Sequence, residues 1–160
     1  MGNKSNLPGW CDNDAIRALM PSMIPESYRK LVVLIGVPAF LEICGAWGGR
    51  QHYFPTMEHV SRHGIISPAS LSPADREVVA RIGIQPFMDL VEANGGRFVY
   101  LPKPTAIMRP VRDMKIREDY RHGQLKVSEI AEKYGLTCTT VNAICKGLQD
   151  ERKTAIKRFA

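Results

Sequence analysis

A short stretch near the C-terminal end of the sequence carries side chains that can contact the edges of nucleic-acid bases. Asn142 has an amide that can bond to adenine in two places, and Lys146 is a donor suited to guanine. The predicted base-reading residues are Thr137, Cys138, Thr139, Thr140, Asn142, Ala143 and Lys146. Because no arginine is among them, we expect modest discrimination, about 1–3 kcal/mol for each good base contact.

These side chains need two short helices to present them, and the surrounding residues have the required types. Ala131 is small enough for a close helix crossing, and Gly135 allows the positive φ that ends a first helix. Thr137 offers a hydroxyl that can cap a second helix. Apolar residues follow the helical period at Ile130, Tyr134, Leu136, Val141 and Ile144. The pattern predicts a helix-turn-helix over residues 127–146, with a plain helical hairpin as the alternative.

In a helix-turn-helix, the start and the outward face of the second helix enter the major groove, and nearby cations bind phosphates. The predicted phosphate contacts are Arg109, Arg112, Lys115, Lys126, Lys133, Arg97 and Lys103. Arg97, Tyr100 and Lys103 lie on a predicted edge strand that can face the DNA backbone or the minor groove. Charged residues on such a strand also serve to prevent edge-to-edge pairing, and the other cations can simply be solvated.

The distribution of charge indicates a polyanionic partner. The chain has a formal net charge of +6 and a sequence pI near 9.3. Residues 1–103 contain ten Lys/Arg and nine Asp/Glu, whereas residues 104–160 contain twelve Lys/Arg and seven Asp/Glu. The surplus of positive charge therefore lies in the part of the sequence that contains the predicted helix-turn-helix.

Patterns for catalysis, metal binding and membrane insertion are missing from the sequence. His59 and His63 are four residues apart beside Glu58, but the H-E-x-x-H order and a third ligand are absent. There is no phosphate-binding loop or nucleophile elbow, and no apolar run reaches about 18 residues. The four cysteines show no C-x-x-C spacing, which is typical of reduced thiols. We therefore expect neither enzymatic activity nor a cofactor, and no metal site or membrane partner.

An internal repeat fills much of the chain before the predicted helix-turn-helix. At a constant offset of 47 residues, Arg29, Gly36, Phe40, Gly48 and Tyr53 match Arg76, Gly83, Phe87, Gly95 and Tyr100. Each copy has the pattern helix, helix, Gly-Gly, strand, and the copies span residues 27–55 and 73–102. One strand with two helices cannot close a core alone, so two copies should pair antiparallel, within one chain or between chains.

Together these patterns predict a mainly α fold with short β-strands. The expected parts are an N-terminal arm (1–26), a duplicated, dimerisation-like helix-helix-strand region (27–103), a linker (104–109), a three-helix helix-turn-helix domain (110–148) and a basic tail (149–160). The basic tail has two possible interpretations, a solvated helix or an additional contact with phosphates. The predicted oligomerisation strand consists of Arg97, Phe98, Val99, Tyr100 and Leu101.

Residues 82–148 resemble the Mor/C family of phage transcription activators. The resemblance rests on IGIQPFMDLVEANGGRFVYLPK, then RDMKIREDYRHG, then VSEIAEKYGLTCTTVNAI, in this order and spacing. It implies a dimer that binds a promoter dyad in double-stranded DNA and assists the host RNA polymerase in the bacterial cytoplasm, without catalysis or a cofactor. Two other functions remain open, a DNA-binding repressor and an assembly protein that binds nucleic acid non-specifically.

The chain departs from the family pattern in one respect. The family's helix-helix-strand unit occurs twice, but only the second copy is followed by a helix-turn-helix. After Pro55 the first copy continues as TMEHVSRHGIISPAS, where Gly and Pro leave no room for one. A homodimer is the expectation from the resemblance, and an intrachain pseudo-dimer with a single helix-turn-helix is the alternative.

Overall fold

In the computed structural model, which describes residues 7–62 and 65–159, the chain divides into two units. The scaffold unit consists mainly of Leu19–Ile107. The C-terminal unit combines Pro8–Ala18, which includes helix α1 (Asn13–Ala18), with residues 108–159. Helices dominate both units and the strands are short, so the predicted fold class is confirmed.

The scaffold unit contains the order helix, helix, strand twice. The first copy comprises α2 (Glu26–Ile35), α3 (Val37–Trp47) and β1 (Arg50–Phe54). Between the copies lie α4 (Met57–Val60) and the short paired strands β2 (Ser61–Arg62) and β3 (Ile65–Ile66). The second copy comprises α5 (Pro73–Ile82), α6 (Ile84–Asn94) and β4 (Arg97–Leu101), and α7 (Pro104–Ile107) follows it.

In the structure, elements that are 47 residues apart also match outside the two copies that the sequence predicts. A short 3-10 helix precedes each copy, at Pro21–Met23 and at Pro68–Ser70. A single helical turn follows each copy, and Val60 in α4 and Ile107 in α7 are both buried at the same place in the repeat. The repeated structure therefore spans residues 21–60 and 68–107, and α7 occupies most of the segment for which we predicted a linker.

The two copies pair with each other inside the one chain. Strands β1 and β4 are antiparallel, with Arg50 opposite Leu101 and Phe54 opposite Arg97. The helices also pair between the copies: α2 packs on α6, and α3 packs on α5. The core repeats too, since Phe40 and its counterpart Phe87 are both fully buried. These reciprocal contacts are those of an approximate two-fold axis.

Close backbone approaches at two equivalent glycines fix the turn before each strand. A Cβ on Gly48 would lie 2.7 Å from the carbonyl oxygen of Pro102, and one on Gly95 would lie 3.1 Å from that of Pro55. The following residues, Gly49 and Gly96, adopt positive φ and donate hydrogen bonds across the sheet. The first glycine of each pair thus leaves room for the chain segment that follows the strand of the other copy, and the second allows the positive φ of the turn.

One polar cluster in the scaffold unit breaks the two-fold relation. Nε2 of His52 lies 3.3 Å from Oδ1 of the buried Asp75, and the Ser72 hydroxyl donates to Oδ2 at 2.6 Å. The His52 ring stacks on Trp47 with ring centroids 3.5 Å apart. Burial acts to raise the pKa of Asp75, but the hydrogen bonds with His52 and Ser72 outweigh burial and hold this pKa below its usual value.

The C-terminal unit contains four further helices. They are α8 (Arg109–His122), α9 (Val127–Tyr134), α10 (Cys138–Ile144) and α11 (Gln149–Phe159). Gly123 and Gly135 end α8 and α9 in the left-handed conformation. The core of this unit consists of Ile116, Tyr120, Ile130, Ala131, Tyr134, Val141 and Cys145. The apolar positions that follow the helical period in the sequence therefore pack together, with Leu136 and Ile144 partly buried at the edge.

Segments that we predicted as an arm and a tail contribute to the C-terminal unit. Of the predicted arm, residues 1–6 lie outside the described residues, whereas Trp10 places its ring 6.1 Å from that of Tyr134. The predicted tail is helix α11, in which Arg152 lies over the Tyr120 ring at 4.4 Å and donates to the carbonyl oxygens of Tyr120 and Leu125. The arm and tail bury apolar surface that three short helices would leave exposed.

Candidate nucleic-acid interface

Local hydrogen bonds define the turn between α9 and α10. At the start of α9 the Glu129 carboxylate accepts from the backbone N–H of Lys126 at 2.5 Å. At its end, Gly135 has φ 64° and the N–H of Leu136 donates to the carbonyl of Ala131 at 2.8 Å. The Thr137 hydroxyl then accepts from the N–H of Thr140 at 3.2 Å and caps α10. The residue types that predicted the turn perform the expected roles in it.

The predicted base-reading side chains lie on the outer side of this helix pair. Six of them are exposed, namely Thr137, Cys138, Thr139, Asn142, Ala143 and Lys146. Thr140 is half-buried, and its hydroxyl lies 2.9 Å from that of Thr137, so capping already engages it. Val141 and Cys145 point into the core and are fully buried. The structure therefore presents a small polar surface, with Asn142 and Lys146 as its most capable hydrogen-bonding groups.

Helix α10 is held at its C-terminal end by a residue that we did not identify from the sequence. Nε of Arg117, on α8, donates to the carbonyl oxygen of Ile144 at 3.2 Å. A guanidinium at this end of a helix donates to a carbonyl that has no partner within the helix, and its positive charge interacts favourably with the negative end of the helix dipole. No spacing pattern links two residues 27 positions apart, so only the fold brings Arg117 to this position.

Three of the predicted phosphate contacts are held in ion pairs. Arg112 donates to Asp113 at 2.8 Å, Lys115 to Asp12 at 3.1 Å and Lys133 to Asp119 at 2.8 Å. In each pair the carboxylate offsets the positive charge that the residue would otherwise present to a phosphate.

Asp119 also accepts from the Tyr134 hydroxyl at 2.9 Å. Burial, together with this hydrogen bond, raises the pKa of Tyr134 well above its usual value. The tyrosine is therefore a neutral donor that helps to hold Asp119 beside Lys133.

The other predicted phosphate contacts are exposed. Arg109 and Lys126 have no carboxylate partner within residues 7–62 and 65–159. Arg97 and Lys103 belong to the scaffold unit, where Arg97 lies opposite Phe54 in the sheet and the side chain of Lys103 passes over Gly49. Among the described residues these four, unlike the three above, have no carboxylate partner, so their positive charge can be offered to a phosphate.

The outward face of the β1–β4 sheet is aromatic. Phe98 is 68% exposed, Tyr100 50% and Tyr53 45%, and the rings of Tyr53 and Phe98 have centroids 5.1 Å apart. Within the predicted oligomerisation strand, Leu101 instead points inward and is fully buried. The strand pairs with β1 of the same chain, so its pairing edge on that side is already occupied.

The described residues also bear on two other classes of site, a metal centre and a membrane-spanning helix. His63 lies outside the described residues, and the remainder contains no group of three His, Cys, Asp or Glu side chains arranged to hold a metal ion. In the described part of the chain no single helix is long and apolar enough to cross a membrane. Helices α2 and α3 reach that length and composition only as a pair bent by 115°.

Comparison with known proteins identifies the family. Residues 68–158 match the model of the Mor transcription activator family, which is more than half of the 160 residues. The match begins at the 3-10 helix that precedes the second copy and runs through α11. Neither the curated proteins nor the solved structures yielded a match. The chain thus belongs to the Mor transcription activator family, a family of transcription regulators.

Proposed function

We propose that this protein is a sequence-specific, DNA-binding transcription activator of a phage or prophage. In the proposal α9 and α10 act as a helix-turn-helix, and α10 enters the major groove of double-stranded DNA. The observation that carries the proposal is the exposed polar surface of α10, which is capped by Thr137 and anchored by Arg117. Family membership supports the regulatory role.

The exposed side chains divide naturally between base reading and phosphate binding. Asn142 is the proposed adenine contact and Lys146 the proposed guanine contact, while the threonine methyl groups suit thymine. Arg109 and Lys126 are the proposed phosphate contacts, since no carboxylate within the described residues competes for them. Arg97, Tyr100 and Lys103 offer a second contact from the sheet. Such a regulator needs neither a cofactor nor a catalytic group.

The partners that follow are promoter DNA and the host RNA polymerase, in the cytoplasm of a bacterial host. The polymerase part of the proposal rests on membership of the family. The sequence alone is compatible with a homodimer and with an intrachain pseudo-dimer. The pairing of β1 with β4 supports the second arrangement.

Footprinting on phage or prophage promoter DNA tests the proposal. We expect protection of a defined element that survives an excess of random competitor DNA. Protection that is indifferent to sequence would contradict the proposal and favour an assembly protein that binds nucleic acid non-specifically. Transcription with purified host polymerase then separates the two kinds of regulator, because an activator increases and a repressor decreases the transcript from the protected promoter.

A further inference from the structure

The two copies in the scaffold unit complete each other without a second chain. Each copy contributes one strand to the sheet, and each places its helices on those of the other copy. Gly49 donates to Leu101 and Gly96 donates to Phe54, at 2.7 and 2.9 Å, so even the hydrogen bonds at the strand ends are reciprocal. If the scaffold were built from two chains, every one of these contacts would lie at the interface between them.

In the described residues a helix pair of the α9–α10 type follows the second copy and not the first, and the path of the chain after each copy explains why. After α7 the chain continues through Met108 into α8. The equivalent residue after α4 is Ser61, and there the chain enters β2, pairs with β3 and returns to the 3-10 helix that begins the second copy. Ser67 donates to the carbonyl of Val60 at 3.1 Å, which closes this return. The exit of the first copy is therefore used to connect the two copies.

We infer that each chain is a self-paired scaffold with one reading helix, and that it binds a single DNA half-site as a monomer. The DNA part of this inference rests on the proposed function, whereas the self-pairing does not. The target would then be an asymmetric element read by one α10, and not a dyad read by two chains. Fewer base contacts are available to one helix than to two, so phosphate contacts should supply a large share of the affinity.

Mass measurement tests the stoichiometry. We expect light scattering on the purified chain to give the mass of one chain, 17.9 kDa. With a duplex that contains the footprinted element, we expect one chain per duplex and protection of one half-site. A stable species of twice that mass, or two chains on a two-fold-symmetric element, would overturn the inference.

Disulfide trapping tests the self-pairing independently of DNA. Tyr53 and Phe98 face each other across the sheet on its exposed side, so the double variant Tyr53→Cys/Phe98→Cys should oxidise within one chain. The exposed Cys138 is replaced by serine in all these proteins, because it would otherwise crosslink chains. The control is a mixture of the two single variants, which should give no more crosslinked dimer than either single variant alone, since exposed thiols form a background of random crosslinks. A crosslink between the two variants well above that background would show that the strands pair between chains.

The outcomes separate this inference from the proposed function. Sequence-specific binding by two chains would contradict the inference and leave the proposed function intact. Binding by a monomer that is indifferent to sequence would contradict the proposed function, and with it the half-site, while the intrachain disulfide would still establish the self-paired scaffold.

Discussion

Asn142 carries the most specific of the proposed base contacts, because its amide can both donate to and accept from adenine. We expect Asn142→Ala to weaken binding to the footprinted element roughly 5- to 150-fold, which corresponds to about 1–3 kcal/mol. Titrations at several salt concentrations should show little change in the salt dependence, since no phosphate contact is lost. Asn13→Ala, at an exposed position in α1, is the control. An equal loss on random DNA would count against base reading.

Arg117 should affect the same binding indirectly, through the position of α10. We expect Arg117→Gln to lower the free energy of unfolding by about 1 kcal/mol, because the carbonyl of Ile144 loses a charged donor. Specific affinity should also fall under conditions where the variant is fully folded. Arg121→Gln is the matched control, since Arg121 lies on the same helix but pairs with Glu151. Reduced stability with unchanged affinity would mean that Arg117 has only a structural role.

Asp75 gives the scaffold unit a specific dependence on pH. Its pKa is lowered in the folded state, so its contribution to stability is present above the unfolded pKa of about 3.9 and is lost as the pH falls through the folded value. We expect Asp75→Asn to lower the free energy of unfolding at neutral pH by about 1–3 kcal/mol and to make its decrease in acid shallower.

Trp47 fluorescence in a Trp10→Phe background can follow the unfolding of the scaffold unit in denaturant at each pH. Asp14→Asn, at an exposed position, is the control and should change little. If Asp75→Asn had the same acid profile as the parent protein, the carboxylate would not be the group that responds to pH.

At the scale of single residues, the sequence was informative about the proposed reading helix and uninformative about contacts between residues far apart in the chain. The helical period assigns Val141 inward and Asn142 outward without knowledge of the fold. The pairing of Lys115 with Asp12 joins residues 103 positions apart, and the anchoring of α10 by Arg117 spans 27. Such contacts depend on tertiary packing, which local patterns do not encode.

The glycines that precede the two strands provide a test at the scale of elements. Towards the other copy, a Cβ on Gly48 would lie 2.7 Å from the carbonyl oxygen of Pro102, whereas one on Gly95 would lie 3.1 Å from that of Pro55. We expect Gly48→Ala to destabilise the scaffold unit by about 2–3 kcal/mol and Gly95→Ala by less, because the added methyl group overpacks a rigid backbone contact. Chemical unfolding curves measure both effects.

Gly45 is the matched control for these two variants, because it lies in α3 with nothing within 4 Å of an added Cβ. Gly45→Ala should stabilise the protein by about 0.5–1 kcal/mol, since alanine loses less conformational freedom in a helix. Equal effects of the three substitutions would contradict the close approach of the two copies.

Among the elements, the repeat could be read from the sequence because each of its helices buries one apolar face, and the same side chains recur 47 residues later. The turns α4 and α7 could not, because helices of four residues are unstable alone and form only when packed. For the same reason we predicted a linker where the structure has α7, in which Pro104 begins a helical turn that buries Ile107. The sequence also left open whether β1 and β4 pair within one chain, since the pattern of a strand does not identify its partner.

At the scale of the whole molecule, the placement of free positive charge limits how steeply the proposed DNA binding should depend on salt. Within the described part of the C-terminal unit, six exposed cations have no carboxylate partner, and one of them, Arg117, donates a single hydrogen bond to a carbonyl oxygen. They are Arg109, Arg117, Lys126, Lys146, Lys157 and Arg158. Each phosphate contact contributes about 0.9 to the slope of log K against log salt. We therefore expect a slope no steeper than about −5 on random DNA.

Binding titrations between low and moderate salt measure this slope, and variants of the sheet interpret it. A steeper slope would mean that cations outside this group also bind phosphates. If the variant Arg97→Ala/Lys103→Ala then returned the slope to the expected range, the sheet would be the second contact. Arg17→Ala, at an exposed position in α1, is the control for loss of charge alone.

The covalent link between the two copies has a consequence for the protein at low abundance. A scaffold made from two chains is diluted apart when the chains become scarce, because its stability depends on their concentration. Here the connector from Val60 to the second copy keeps the partner strand at a local concentration that a short tether typically sets in the millimolar range. A few molecules in a cell, such as those present when a regulator is first expressed, would have intact scaffolds from the moment they fold.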